Sequence, residues 1–221
     1  MNVELINYSQ QPEGCRCDGT KLIDQIAFCA RVSNPSNQNN TETSEKLVRY
    51  LLKNSHFSPF EMVNICLGIT TTRDIARQIL RHRSFSFQEF SQRYADPTKD
   101  LNFVTREARS QDLKNRQNSI ENVNHDIQMD WHDIQNDLID HANNVYNWAI
   151  KNNIAKEQAR VVLPEGLIES RLYMNGTVRS WIHYIQLRSG NGTQKEHREI
   201  AVACAKTIEP IFPMIMEFVN V

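Results

Sequence analysis

Apolar positions recur along this chain with two different periods, and the periods mark out its elements. Leu22, Ile23, Ile26, Ala27 and Ala30 fall at helical spacing and predict a helix over 21–32. A second helix over 44–54 buries Leu47, Val48, Leu51 and Leu52. Val63, Ile65, Leu67 and Ile69 alternate and predict a strand, while 3–8 reads as a shorter one. Ile127, Trp131, Ile134, Leu138, Val145 and Trp148 describe one long amphipathic helix over 124–151. Helices follow over 155–163, stopped by Pro164, over 177–189, and over 196–209, ended by Pro210. A strand through Leu172 and Met174 ends at Asn175-Gly176. The stretches 10–20 and 33–43 are loops, and 94–122 is polar without an assignable period. There is no internal repeat and no domain boundary. The fold class is α+β, with residues 1–221 as a single domain of several helices packed on a small, mostly antiparallel sheet.

The helix that begins near Arg73, with Thr71 or Thr72 as its cap, carries arginine and no lysine. Arg73, Arg77, Arg81, Arg83 and Arg93 fall within 21 residues, and no lysine occurs between Lys53 and Lys99. Arginine holds its donors in one plane and suits forked hydrogen bonds to phosphate or carboxylate. Arg73, Arg77 and Arg81 also fit a plain solvated face beside Ile75 and Ile79. Two features point away from that. The run passes into Arg81-His82-Arg83, which a helix scatters over different faces, and then into serine, phenylalanine and glutamine, weaker helix formers. A helix end that opens into a polar loop holding Ser84, Ser86, Glu89 and Ser91 is suited to a ligand. The stretch 157–194 is a second lysine-free zone, with Arg160, Arg171, Arg179 and Arg188. His56 and Ser58 lie in the polar turn before the strand, where a ligand contact and simple turn formation explain them about equally.

Composition narrows the partners. Arginine and lysine nearly balance the acids, leaving a net charge of −1, whereas a non-specific nucleic-acid binder shows a basic excess. No apolar run reaches membrane-spanning length, and the N-terminus lacks a basic then apolar signal pattern, so neither membrane nor nucleic-acid partners are expected. The five cysteines form an odd set without a Cys-x-x-Cys, which fits free thiols in a reducing compartment, the cytoplasm. Cys15-Arg16-Cys17 has no second ligand pair, and His125, His132 and His141 lack the spacing of a helical zinc site, so no metal is expected.

No Walker loop, Gly-x-Gly-x-x-Gly or Gly-x-Ser-x-Gly occurs. Any bound nucleotide must have its phosphates neutralised by arginine side chains. From the residues alone, the chain binds one or more phosphate-bearing small molecules at a site shared by 77–93 and 160–188.

The run Arg81-His82-Arg83-x-x-Ser86-x-x-x-x-Ser91-x-Arg93-Tyr94 resembles the signature of the flavin-dependent thymidylate synthases. His56–Glu61, Arg160–Pro164 and Arg179–Arg188 fall in that family's order. The resemblance implies conversion of dUMP to dTMP, with methylenetetrahydrofolate as carbon donor, NADPH as reductant through FAD, and tetrahydrofolate released. It implies a homotetramer whose active sites are shared between subunits. It assigns flavin contacts to Ser58, Arg81, His82, Arg83, Glu89, Thr177, Val178, Arg179 and His183. It assigns dUMP to Gln78, Arg81, Glu89, Phe90, Ser91, Gln92, Arg93, Arg160 and Arg188. Arg188 is the implied catalytic residue, and Ser91, with no base beside it in sequence, reads as a positioning hydroxyl. Ser58, Gln88 and Thr177 differ from the family's usual residues while keeping polarity. The alternative reading is a non-enzymatic nucleotide-binding, RNA-binding or flavin-binding protein using the same arginines.

Overall fold

The alternation of Ile65, Leu67 and Ile69 puts all three fully inside the protein, as period two requires. The computed structural model describes residues 1–220 and places these three on the central strand pair of a four-stranded sheet. The strands are β1 (Asn2–Tyr8), β2 (Asn64–Thr72), β3 (Phe85–Glu89) and β4 (Glu169–Thr177), in the order β1-β2-β4-β3. Every pairing is antiparallel. On β4, Leu172 and Met174 are buried while Arg171, Tyr173 and Asn175 are exposed, so one face of the sheet is core and the other polar.

The larger helices are α1 (Leu22–Ala30), α2 (Ser44–Lys53), α3 (Arg73–Ile79), α4 (His125–Lys151), α5 (Val178–Arg188) and α6 (Lys195–Ile208). Apolar residues of every one except α4 join the sheet in one core, which includes Ile26, Val48, Ile75, Trp181 and Ile200. Trp181 is fully buried and donates its indole N–H to the Ile65 carbonyl at 3.0 Å, which satisfies its one polar atom. Gly176 faces both Ile65 and Phe85 across the sheet. A Cβ there would lie 2.4 Å from Phe85 Cδ1, so only glycine lets the Phe85 ring lie over the strand and meet Trp181 edge-on.

Three expectations need correction. The stretch after Arg83, expected as a loop, is β3: buried Phe85 and half-buried Phe87 alternate with exposed Ser86 and Gln88. The helix expected over 155–163 is shorter, a turn at Lys156–Ala159 continued by a 3-10 turn at Arg160–Val162. Thr72 stands at the start of α3, but its hydroxyl makes no cap; Thr72 Oγ1 accepts from the Arg106 guanidinium at 2.6 Å instead.

The unassigned stretch 94–122 holds a helical turn at Pro97–Asp100 and a small hairpin pairing Ser110–Gln111 with Ser119–Ile120. Buried Gln135 of α4 clamps it, accepting the Arg106 N–H at 2.8 Å and donating to the Arg106 carbonyl at 2.9 Å. α4 forms where the period placed it, with Asn124 Oδ1 accepting from the Asp126 and Ile127 amides. Its buried side is Gln135, Ala142, Tyr146 and Ala149, the last two packed on Ala159, Leu163 and Ile168. The apolar stripe itself faces outward: Ile127, Trp131, Ile134, Leu138 and Trp148 are 42–60% exposed. No helix among the described residues is long and apolar enough to cross a membrane.

Candidate active site

The two lysine-free zones meet inside one chain. His82 lies just beyond α3, and Arg188 is the last residue of α5. Arg188 Nε donates to His82 Nε2 at 2.9 Å. Burial, then the charge of Arg188, lowers the His82 pKa to about 4, so the ring is a neutral acceptor near pH 7. The ring of His82 meets that of Tyr184 edge-on at 4.9 Å between centroids. Gln78, one turn back on α3, bonds His197 and Gln194 at 3.3 and 2.9 Å. Gln78 reaches His82 through the His197–Tyr184 bond and the Tyr184–His82 ring contact, so Gln78, His82 and Arg188 share one neighbourhood, with Arg81 exposed beside them.

A cavity of about 410 Å³ opens where α5 begins. Phe57, Ser84, Arg179 and His183 line it. The Arg179 guanidinium sits 6.0 Å from the Phe57 ring centroid and pairs with Glu61. Thr177 caps α5, its hydroxyl accepting from the Ser180 amide at 3.2 Å, which aims the first turn of the helix at the cavity. Ser58 opens the 3-10 turn beside Phe57. Arg83 is exposed. Val178 is buried in the core and gives its N–H to the Val63 carbonyl, so it offers the cavity no side chain. An aromatic wall, a guanidinium and a helix start fit a flat ring system and the phosphates of a flavin dinucleotide.

A third cluster lies beyond β3. Gln92, Arg160, Arg73 and Arg77 line a cavity of about 350 Å³. Gln92 Nε2 is buried without a hydrogen-bond partner, whereas Arg73 is held by two carboxylates, its Nη1 3.4 Å from Glu89 and its Nε 3.4 Å from Glu165. Arg93 pairs with Glu157 at 3.3 Å. Glu89 turns inward, its carboxylate accepting from Ser170 Oγ at 2.8 Å and lying 3.4 Å from Arg73. The Phe90 N–H donates to the Arg171 carbonyl, and Ser91 is exposed. The residues assigned to dUMP therefore divide within one chain. Gln78, Arg81 and Arg188 form one group; Gln92 and Arg160 form another, with Arg93 nearby.

The sequence reading passed over Tyr184 and His197, which join Gln78 to the His82 neighbourhood. A signal was there: His197 shares the helical register of Ile200, Ala201, Cys204 and Ile208, all fully buried.

Sheet, helices and arginine-lined cavities together define an α+β protein built to hold small anionic ligands. A family model described as thymidylate synthase complementing protein matches residues 20–214. A flavin-dependent thymidylate synthase of Synechocystis sp. is 48% identical over 200 residues, 90% of each chain. A probable flavin-dependent thymidylate synthase of Paramecium bursaria Chlorella virus 1 is 47% identical over 190 residues, 86% of this chain and 87% of that one. The solved structure of a UMP/dUMP methylase, PolB from Streptomyces cacaoi, bound with 5-Br dUMP, matches with a TM-score of 0.78. It covers 98% of this chain and 93% of its own at 23% identity, a likeness of fold. The chain belongs to the flavin-dependent thymidylate synthase family.

Proposed function

We propose that this chain methylates dUMP to dTMP, with methylenetetrahydrofolate as carbon donor and NADPH as reductant. FAD, when bound, supplies the two-electron step that links NADPH to the pyrimidine. The observation that carries the reading is the bond from Arg188 Nε to His82 Nε2, which draws together the two arginine zones that lie far apart in sequence.

The residues divide the work by chemistry. Phe57, Arg179 and His183 hold the flavin, with Arg81 and Arg83 toward its phosphates. Neutral His82 occupies one N–H of Arg188 and leaves the Nη fork free to face the uracil ring. A guanidinium beside uracil N3 favours the deprotonated ring, whose electron density moves to carbon 5. Carbon 5 then attacks the methylene carbon without a covalent bond to the enzyme, and Arg188 stabilises the charge that develops. Carbon 5 gives up its proton, the carbon–nitrogen bond to the folate breaks with tetrahydrofolate as leaving group, and the two electrons from NADPH, which FAD would relay, bring the methylene to a methyl group. Gln92, Arg93 and Arg160 take the nucleotide phosphate.

A homotetramer accounts for two features at once. The dUMP residues fall in separate groups within one chain, which suits a site completed by a neighbouring subunit. The outward stripe of α4 recurs every three to four residues, the spacing of a helix-packing seam. All five cysteines are free, in keeping with a cytoplasmic enzyme. Anaerobic incubation of the FAD-loaded protein with NADPH and methylenetetrahydrofolate, with and without dUMP, followed by product analysis, tests the reading. FAD-dependent formation of dTMP is expected, and a protein that is colourless after incubation with FAD and removal of the unbound flavin contradicts it.

A further inference from the structure

A chain of buried and half-buried side chains runs from the core to the start of α6. Tyr184 and His197 are both fully buried. Tyr184 OH lies 3.2 Å from His197 Nε2, and His197 Nδ1 lies 3.3 Å from Gln78 Oε1. Gln78 Nε2 lies 2.9 Å from Gln194 Oε1, and Gln194 Nε2 lies 2.9 Å from Glu196 Oε2.

One end of this chain dictates the direction of every bond in it. Burial works to raise the Glu196 carboxyl. Its own backbone N–H, the Gln194 amide and the Arg109 charge outweigh that and hold it below the usual carboxylate range. An ionised carboxylate only accepts, so Gln194 must turn its N–H toward Glu196. Its carbonyl then faces Gln78, which must answer with N–H. The Gln78 carbonyl is left for His197, which must give Nδ1–H. His197 Nε2 is then the acceptor for the Tyr184 hydroxyl, which burial keeps protonated. With His197 kept neutral by its burial, no other assignment leaves all four bonds made.

We infer that His197 is a positioning residue: Glu196, through Gln194, sets which end of the Gln78 amide is the donor, and His197 pins the Gln78 carbonyl, so that the amide shows the bound nucleotide an N–H and never its carbonyl. The one amide hydrogen of Gln78 not used in the chain is left to meet an acceptor oxygen of the nucleotide, a uracil carbonyl or a phosphate. A flipped Gln78 would set its carbonyl against that oxygen. The inference rests on the reading of Gln78 as a dUMP contact.

Titration calorimetry of dUMP into the purified FAD-loaded protein tests it. His197→Ala removes the hold on the Gln78 carbonyl, so the amide swings about its one remaining bond to Gln194 and its spare N–H loses its aim; dUMP affinity is expected to fall about tenfold, the loss of roughly one well-placed hydrogen bond. His197→Asn puts an amide donor where Nδ1 stood and is expected to stay within about twofold of the unaltered protein. Glu196→Gln removes the carboxylate that sets the direction while keeping the shape, so it should also weaken dUMP binding by several fold. A merely structural role would lower the melting temperature of the His197 variants without separating Asn from Ala in dUMP affinity. Equal dUMP affinity in His197→Ala and the unaltered protein overturns the inference, as does an Asn variant as weak as Ala. Should His197→Ala not fold, Glu196→Gln decides: unchanged dUMP binding overturns the inference. If the unaltered protein binds no dUMP, the proposed function falls first and the inference with it.

Discussion

His197 ties the fold to pH. It is fully buried between Tyr184 and Gln78. Burial first, then the charges of Arg188 and His82, lowers its pKa from 6.5 to about 3. The folded value lies below the unfolded one. The unfolded chain therefore binds a proton that the folded chain refuses, and stability falls as the pH drops from 6.5 toward about 3. Above that window His197 is neutral in both states and its contribution is complete. Within it the loss is about 1.4 kcal/mol per pH unit, or roughly 2–3 kcal/mol by about pH 4.5. Other groups add to the overall acid sensitivity, His82 in the same direction, so the comparison must be with a variant lacking only this one. His197→Asn keeps a donor toward Gln78 and does not titrate. Urea unfolding at fixed protein concentration, followed by tryptophan fluorescence from about pH 7.5 to about pH 4.5, reads the difference. The gap between the unaltered protein and His197→Asn should be constant above about pH 6.5 and shift toward the variant by about 1.4 kcal/mol per unit below it. A gap that does not change with pH would show that His197 takes up its proton in the folded state, and the buried chain of bonds would be misassigned.

Three further outcomes follow from the same structure. Arg188→Ala should lower kcat for dTMP formation about 100- to 1,000-fold while the flavin absorbance of the purified protein persists. Leu138→Arg, placed in the exposed stripe of α4, should convert the proposed homotetramer to smaller species by light scattering; an unchanged mass would remove α4 from the proposed subunit contact. Gly176→Ala should cost about 1–3 kcal/mol in urea unfolding, because the new methyl meets the Phe85 ring.

Elements with a strong local period could be read from the residues. α1, α2, α4, α5 and α6 lie within a few positions of where their apolar spacing put them. β3 was there to be read as well: Phe85 and Phe87 alternate with Ser86 and Gln88, but the adjoining arginines drew the reading toward a ligand loop. The stretch 94–122 shows no period because distant partners hold it in place. Arg106 binds Asp74, Arg109 binds Glu196, and Lys195 reaches both Glu107 and Glu121. Nothing local encodes such pairs. The stripe of α4 gave the helix but not its partner, and the chain alone leaves that face in solvent. At the site, a meeting of 77–93 with 160–188 could be read from the arginine-only composition of both stretches, whereas the bond from Arg188 to His82 and the polarity running from Glu196 to Tyr184 need the folded distances. Two of its members, Gln194 and Glu196, stand where the sequence shows only an ordinary polar helix start.

The claim at the centre is that guanidinium groups from both halves of the chain act on one nucleotide beside one flavin. Stopped-flow mixing of the NADPH-reduced, FAD-loaded protein with dUMP and methylenetetrahydrofolate under argon, quenched for product analysis, addresses it most directly. The account predicts flavin reoxidation coupled to dTMP, about one for one, and its loss in Arg188→Ala. Reoxidation without dTMP, or dTMP formed as fast by Arg188→Ala, would contradict it.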